Sequence, residues 1–218
     1  MLYGFSRHVV PVPTDTERPR FATGYWVLPT PGQWVPPAGL EAFLARPGPV
    51  VTVGFGSMAS RDARSLAQLV VSGVRAAGVR AVLVSGWGGL DAAASEDVFR
   101  ADSLPYEWLF PRVAAVVHHG GAGTTGTAVR AGVPAVVVPF TMDQPFWGSR
   151  VEALGVGPKP IPRKRLTAEA LADALRRAVG DADLRSRAAA LGARLREENG
   201  VTEAVAHFER LGERRGAA

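Results

Sequence analysis

AAVVHHGGAGTTGTAVRAGVPAVVVPFTMDQ, residues 114 to 144, decides the fold class of this chain. The short apolar run from Ala114 to Val117 predicts a buried strand. Two histidines, a glycine cluster and two threonines follow, and then a helix-like segment that stops at Gly132. Beyond Val133 and Pro134, a second apolar run, Ala135 to Val138, predicts another strand and leads to the pair Asp143-Gln144. A strand, a glycine loop, a helix and a strand in that order present free backbone N–H groups at a helix N-terminus, where phosphate binds well. The first expectation is therefore a phosphate-bearing ligand.

The same pattern extends on both sides. Val50 to Phe55 predicts a buried strand ending in Gly54, Gly56 and Ser57. Ser60 is a good N-cap, with Asp62 in the first turn, for a helix to Ala77 that repeats its apolar residues at helical spacing. Ala81 to Val84 is the next strand, followed by the loop SGWGG. Val98-Phe99 is a weak strand, and Tyr106 to Phe110 a helical turn ended by Pro111. Asp143 to Leu154 reads as a helix with Trp147, Val151 and Leu154 on one face. Thr167 caps a further helix to about Val179, and segments at about 181–197 and 199–212 close the chain.

Strands alternating with helices predict an α/β fold, a Rossmann-like doubly wound parallel sheet with additional C-terminal helices. In such sheets ligands sit beyond the carboxyl ends of the strands. Four loops qualify: Gly54–Ser57, Ser85–Gly89, His118–Thr125 and Phe140–Gln144. Residues 1–48 differ from the rest. Prolines at 11, 13, 19, 29, 31, 36, 37 and 47 forbid long regular elements, so this part reads as a connector or an arm wrapping the core. Within it, Ala22 to Leu28 is a possible strand and Leu40 to Ala45 a possible short helix. Residues 49–218 form the domain proper.

At 218 residues the chain can bury a sizeable core. With no cysteine it has no disulfides, thiolate metal sites or cysteine nucleophiles. No apolar run approaches the roughly 18 residues of a membrane helix, and Met1 opens no signal-peptide pattern. The net charge of +5 is nearly all arginine and well distributed, which reads as a solvated exterior without nucleic acid as a partner.

The glycine loop has two readings. Gly121-Ala122-Gly123-Thr124-Thr125-Gly126 spells G-x-G-x-x-G, with Asp143 about twenty residues on, as in a dinucleotide fingerprint. That pattern admits an NAD-dependent Rossmann oxidoreductase. Against it, the fingerprint normally opens the first βαβ unit, whereas strands precede it here, and a neutral dinucleotide turn has no need of His118 and His119. Adjacent histidines at a strand end point in different directions with only Asp143 near, which argues against zinc. A histidine donating to a phosphate oxygen fits better. Thr124 and Thr125 either cap the helix or donate to phosphate. Asp143 and Gln144 either open a helix or bind sugar hydroxyls, and Ser57 is either a loop residue or a phosphate contact.

HHGGAGTTGTAVRAGVPAVVVPFTMDQPFWG resembles the donor-binding signature of nucleotide-sugar glycosyltransferases of the plant, antibiotic and sterol group. VGFGSM, GWGGL and WLFPRVAAVVHHGGAGTT look most like the sterol glucosyltransferase and bacterial natural-product branches. The similarity extends over essentially the whole chain, including LYGFSRHVVP and ATGYW. It implies one half of a GT-B architecture, the C-terminal half that binds a UDP- or dTDP-sugar. By resemblance, His119 falls on the histidine that contacts the diphosphate. Gly121, Ala122, Gly123 and Thr124 fall on the phosphate loop, Gly56 and Ser57 on a second loop approaching the phosphates, and Asp143 and Gln144 on the sugar-binding pair. The family uses no metal and no cofactor beyond the nucleoside diphosphate sugar.

The sequence departs from the plant signature in two places. Ala101 stands where a tryptophan stacks on the base, and Thr127 where a glutamate holds the ribose. In the family the catalytic base is a histidine of the N-terminal acceptor domain, and His8 matches no such motif. The expectation is therefore a donor-binding domain that works with an N-terminal acceptor domain on a small-molecule or lipid hydroxyl. Its location would be cytoplasmic, or peripheral at a membrane. A non-catalytic partner subunit is the alternative.

Overall fold

A computed structural model describes residues 1–12, 20–58, 63–86, 90 and 93–216, with side chains to residue 210. In the arm, β1 (Leu2–Tyr3) and β2 (Phe21–Ala22) pair in parallel. The strand expected over Ala22 to Leu28 stops after Ala22. Gly24 takes φ +95, a left-handed conformation, and lies against Glu198 and Gly200, so the chain turns there instead of extending. The short helix α1 (Leu40–Ala45) forms as expected and buries Leu40 and Phe43. Burying each of these side chains stabilises the fold by about 1.5–3 kcal/mol.

The central sheet consists of β3 (Val50–Gly54), β4 (Arg80–Val84), β5 (Val98–Ala101), β6 (Ala115–His118) and β7 (Ala135–Val137). All pairings are parallel, in the order β5-β4-β3-β6-β7. The expected Rossmann-like doubly wound arrangement is what the chain adopts. β5, the weak strand, is the edge strand, which explains why only Val98 and Ala101 of its four residues are buried.

The other strands are buried on both faces and therefore read as unbroken apolar runs. Their side chains divide with period two. Val51, Val53, Leu83 and Val117 join Leu66 and Val70 of α2 (Ala63–Ala76) in one core layer, together with Leu171 and Leu175 from a later helix. Val50, Val82, Val116 and Val137 face the opposite layer with Leu40, Phe43, Leu109, Ala128, Val129, Trp147 and Val151. The expected capping residues of α2, Ser60 and Asp62, lie outside the described residues.

The remaining helices are α3 (Tyr106–Leu109), α4 (Ala122–Ala131), α5 (Gln144–Ala153), α6 (Ala168–Gly180), α7 (Ala182–Arg196) and α8 (Gly200–Gly216). Pro111 does not end the turn before it. α3 runs on into a 3-10 turn, Phe110–Arg112, with the proline in its first positions, where a missing N–H removes no helical bond. Thr167 caps α6 as predicted, its hydroxyl accepting from the Ala170 N–H at 3.1 Å. Gly73 lets α2 and α6 pack closely, since a Cβ there would stand 3.0 Å from the Ala168 carbonyl oxygen.

The arm is tied to this body by specific contacts. Arg150 Nε donates to the Val9 carbonyl at 2.8 Å, and the Ser6 hydroxyl donates to Glu198 at 2.8 Å. Tyr25 is buried against Gly126 of α4. No described helix is long and apolar enough to cross a membrane.

Candidate functional site

The strand order reverses between β3 and β6, and there the loops after the two strands part and leave a crevice. The loops after β4 and β7 join them. A Cβ on Gly86 would come within 2.8 Å of the Gly56 carbonyl oxygen, and the Gln144 amide donates to the Met58 sulfur at 3.3 Å. The four loops named from the sequence therefore do converge on one edge of the sheet, as far as they are described. Trp87, Gly88 and Gly89 lie outside the described residues.

At the centre is the N-terminus of α4. Its N-cap is Gly121, which has no side chain to accept from the first turn. Thr125 is the first residue to bond back, its N–H donating to the Gly121 carbonyl at 2.9 Å. The N–H groups of Ala122, Gly123 and Thr124 therefore have no acceptor within the helix and point outward with the positive end of the helix dipole.

His119 lies across this terminus. A Cβ on Gly121 would stand only 2.5 Å from its Nε2, and one on Gly56 3.2 Å from its Cε1, where φ +60 also favours glycine. The ring is half-buried, and its Nδ1 is buried without a partner. Burial lowers its pKa, and the carboxylate of Asp143 works against that shift. The ring is therefore mostly neutral near pH 7, with one N–H to donate, and an anion bound at the helix terminus would favour its charged form.

The two histidines have separate roles. His118 is 1% exposed, and its Nδ1 accepts from the Gly120 N–H at 3.0 Å, which places the ring proton on Nε2. Desolvation first, and the neighbouring His119 second, push its pKa down to about 3. It is a neutral structural group that shapes the loop. Gly120 itself takes φ +90 and packs against Val137 and the backbone of Gln144, so only glycine fits.

Thr125 is buried and its hydroxyl donates to the Gly121 carbonyl at 2.9 Å, whereas Thr124 is half-exposed on the open side. Ser57 is exposed in the turn after β3. Asp143 occupies the N-cap position of α5, but its side chain does not cap. One carboxylate oxygen instead accepts from the Trp147 indole N–H at 2.7 Å, holding an exposed carboxylate beside the crevice.

Gln144 is only 4% exposed, and its side-chain oxygen accepts from the N–H groups of Phe140 (2.7 Å) and Thr141 (3.1 Å). It closes the loop, and its amide nitrogen is the part that points toward the β3 loop. Between them Met142 is held at φ 57, left-handed for a non-glycine residue, with its side chain 84% exposed. Among the described residues no three histidine or acidic side chains stand close enough to share a metal ion.

Sequence reading missed one wall. A groove of about 580 Å³ runs from Gly123 and Thr127 on α4 to Trp26 and Trp34 of the arm, with Leu104 and Glu107 on its other side. A signal was present in the turn Tyr106 to Phe110, which follows β5 just as the other site loops follow their strands.

A family model described as erythromycin biosynthesis protein CIII-like, C-terminal domain, matches residues 81–211, more than half of the chain. O-mycaminosyltylonolide 6-deoxyallosyltransferase of Streptomyces fradiae is 42% identical over 218 residues, covering 100% of this chain and 51% of that protein. Sterol 3-beta-glucosyltransferase of Aspergillus clavatus is 41% identical over 217 residues, covering 94% of this chain and 15% of the fungal protein. Among solved structures, the glycosyltransferase of kitacinnamycin matches with a TM-score of 0.75 at 25% identity, over 96% of this chain and 54% of that one. Glycosyltransferase VinC in complex with dTDP matches with a TM-score of 0.65 at 25% identity, over 91% and 49%. The chain thus spans about half the length of its bacterial relatives and a smaller part of the fungal one. By the extent of the family match, this chain belongs to the EryCIII-like C-terminal domains of GT-B glycosyltransferases.

Proposed function

We propose that this domain holds a nucleoside diphosphate sugar, UDP- or dTDP-linked, for inverting transfer to the hydroxyl of a sterol, another lipid or a polyketide-like natural product. The observation that carries the reading is His119 lying between Gly56 and Gly121 across the uncapped N-terminus of α4. Free N–H groups, a helix dipole and an imidazole N–H meet where a diphosphate would bind. The names of the relatives support the acceptor class, and the dTDP in the VinC structure supports the donor class.

In this reading the diphosphate is held by the N–H groups of Ala122, Gly123 and Thr124, the Thr124 hydroxyl and His119, with Gly56 and Ser57 approaching from the β3 loop. Asp143 and the Gln144 amide take the hydroxyls of the transferred sugar. The acceptor oxygen forms a bond to the anomeric carbon as the bond from that carbon to the β-phosphate oxygen breaks. The nucleoside diphosphate departs with the bonding electrons, and its growing negative charge is met by the α4 terminus and His119 without a metal ion. The acceptor's proton passes to a base on an N-terminal acceptor domain. Alone, this chain is expected to bind the donor without transferring sugar efficiently.

Calorimetric titration with UDP, dTDP and NAD tests the reading. Binding of either diphosphate with little response to NAD is expected. Binding of NAD with no response to UDP or dTDP would overturn it in favour of a dinucleotide site.

A further inference from the structure

The loops after β3 and β7 are joined to each other, although β6 lies between those strands in the sheet. One tie is apolar: the Phe55 and Phe140 rings pack at 5.3 Å between centroids. The other is polar and starts from the Gln144 carboxamide, whose Nε2 donates to the Met58 Sδ at 3.3 Å. Met58 closes the turn that carries Gly56 and Ser57, its N–H donating to the Phe55 carbonyl at 3.1 Å. Its side chain packs half-buried against the core layer that contains Val53 and Phe55. The loop proposed to approach the phosphates and the loop proposed to bind the sugar therefore meet in one side-chain pair.

The buried Gln144 carboxamide is held at both ends. Its oxygen accepts from the Phe140 and Thr141 N–H groups, which leaves the nitrogen end facing the β3 loop. That nitrogen carries two protons, and the sulfur, a weak acceptor, engages one of them. The last torsion of a glutamine side chain is broad, so anchoring the oxygen alone lets the nitrogen swing. The sulfur removes that freedom and leaves the second N–H available to donate. Packing by itself asks only for an apolar side chain at position 58, and leucine would serve it about as well as methionine. What Met58 adds is an acceptor.

We propose that Met58 is a positioning residue for the donor sugar, its thioether sulfur fixing the Gln144 carboxamide so that the second N–H meets a hexose hydroxyl. The inference rests on the donor-site reading above. It places part of the sugar recognition in the loop after β3, on a side chain that acts through Gln144 and does not itself touch the sugar. A nucleoside diphosphate without its sugar makes no use of the pair, so Met58 matters to the intact donor and not to the diphosphate that remains after transfer.

The test is calorimetry on the 218-residue chain with UDP-glucose and UDP, and with dTDP-glucose and dTDP, for the wild type, Met58→Leu and Met58→Gln. Met58→Leu keeps an apolar side chain and deletes the acceptor. It should lose about threefold to tenfold in affinity for the nucleotide sugar, as loss of one neutral hydrogen bond requires, and keep wild-type affinity for the diphosphate. Met58→Gln offers a carbonyl acceptor at similar reach and should recover most of the loss. Unchanged nucleotide-sugar affinity in Met58→Leu overturns the inference while leaving the diphosphate site standing. An equal loss for sugar-bearing and sugar-free ligands marks a general disturbance of the loop and also overturns it. In the wild type, the NMR signal of the Gln144 side-chain amide should move with the nucleotide sugar well beyond its response to the diphosphate. A signal that answers both alike, or neither, overturns the inference, and this measurement needs no folded variant. A wild type that binds none of the four ligands removes the donor-site reading itself, and this inference with it.

Discussion

The His118 ring accepts from the Gly120 N–H and is 1% exposed, while its pKa is pushed from 6.5 down to about 3. Below pH 6.5 the unfolded chain takes up a proton that the folded His118 refuses until about pH 3, so stability falls with falling pH across that window and is unaffected by this group above it. The slope from one such group reaches at most about 1.4 kcal/mol per pH unit. His118→Asn keeps an acceptor for the Gly120 N–H and cannot titrate, so its denaturant-derived stability should fall less steeply than the wild type's in acid. Parallel profiles would contradict this assignment. His119 is the complementary case, half-buried with no partner on its Nδ1. His119→Ala should weaken UDP binding by about tenfold or more, since a donor to a charged phosphate is lost. The same change should alter stability by less than about 1 kcal/mol. Calorimetry and denaturant unfolding on one sample separate the two effects.

At the level of elements, α4 depends on what is absent from its N-terminus. Gly121 has φ −63 and ψ 144, a conformation open to any residue, but a Cβ there would stand 2.5 Å from His119 Nε2. Gly121→Ala should therefore fold and yet lose UDP affinity about as much as His119→Ala does, a combination that measuring melting temperature and binding together would reveal. α1 depends on Arg80 of β4, which is buried and donates to the carbonyls of Phe43, Arg46, Pro47 and Gly48 at the end of that helix. Arg80→Ala strands these carbonyls and should cost about 2–4 kcal/mol in urea unfolding, with Arg80→Lys only partly restoring it because a point charge cannot span the fork. Most elements were legible in the sequence because they depend on local signals. The valine runs marked β3, β6 and β7, Gly132 ended α4, and Thr167 opened α6. The arm was less legible. Its strand is only Phe21–Ala22, because Gly24 turns against Glu198, a contact between residues far apart in the chain.

For the whole molecule, the same distinction explains which parts of the site the sequence revealed. His119, Gly121 to Thr124 and Asp143 lie on strand-loop-helix connections whose direction the local pattern predicts, and the fold brings these loops to one edge. The roles of Thr125 and Gln144 depend on which way a side chain turns, and both turn inward to backbone partners. Glu107, Trp26 and Trp34 meet α4 only through the tertiary fold, and the turn after β5 was the one local sign of the groove they line. The groove beside α4, the α4 terminus and the α5 loop thus lie side by side at that edge of the sheet. The central claim is that the diphosphate binds at the N-terminus of α4. Its most direct test is an amide NMR titration of the 218-residue chain with UDP and with dTDP. The largest shifts are predicted at the N–H groups of Ala122, Gly123 and Thr124 and at His119, saturating together. Saturable shifts centred elsewhere, or none with either nucleotide, would contradict it.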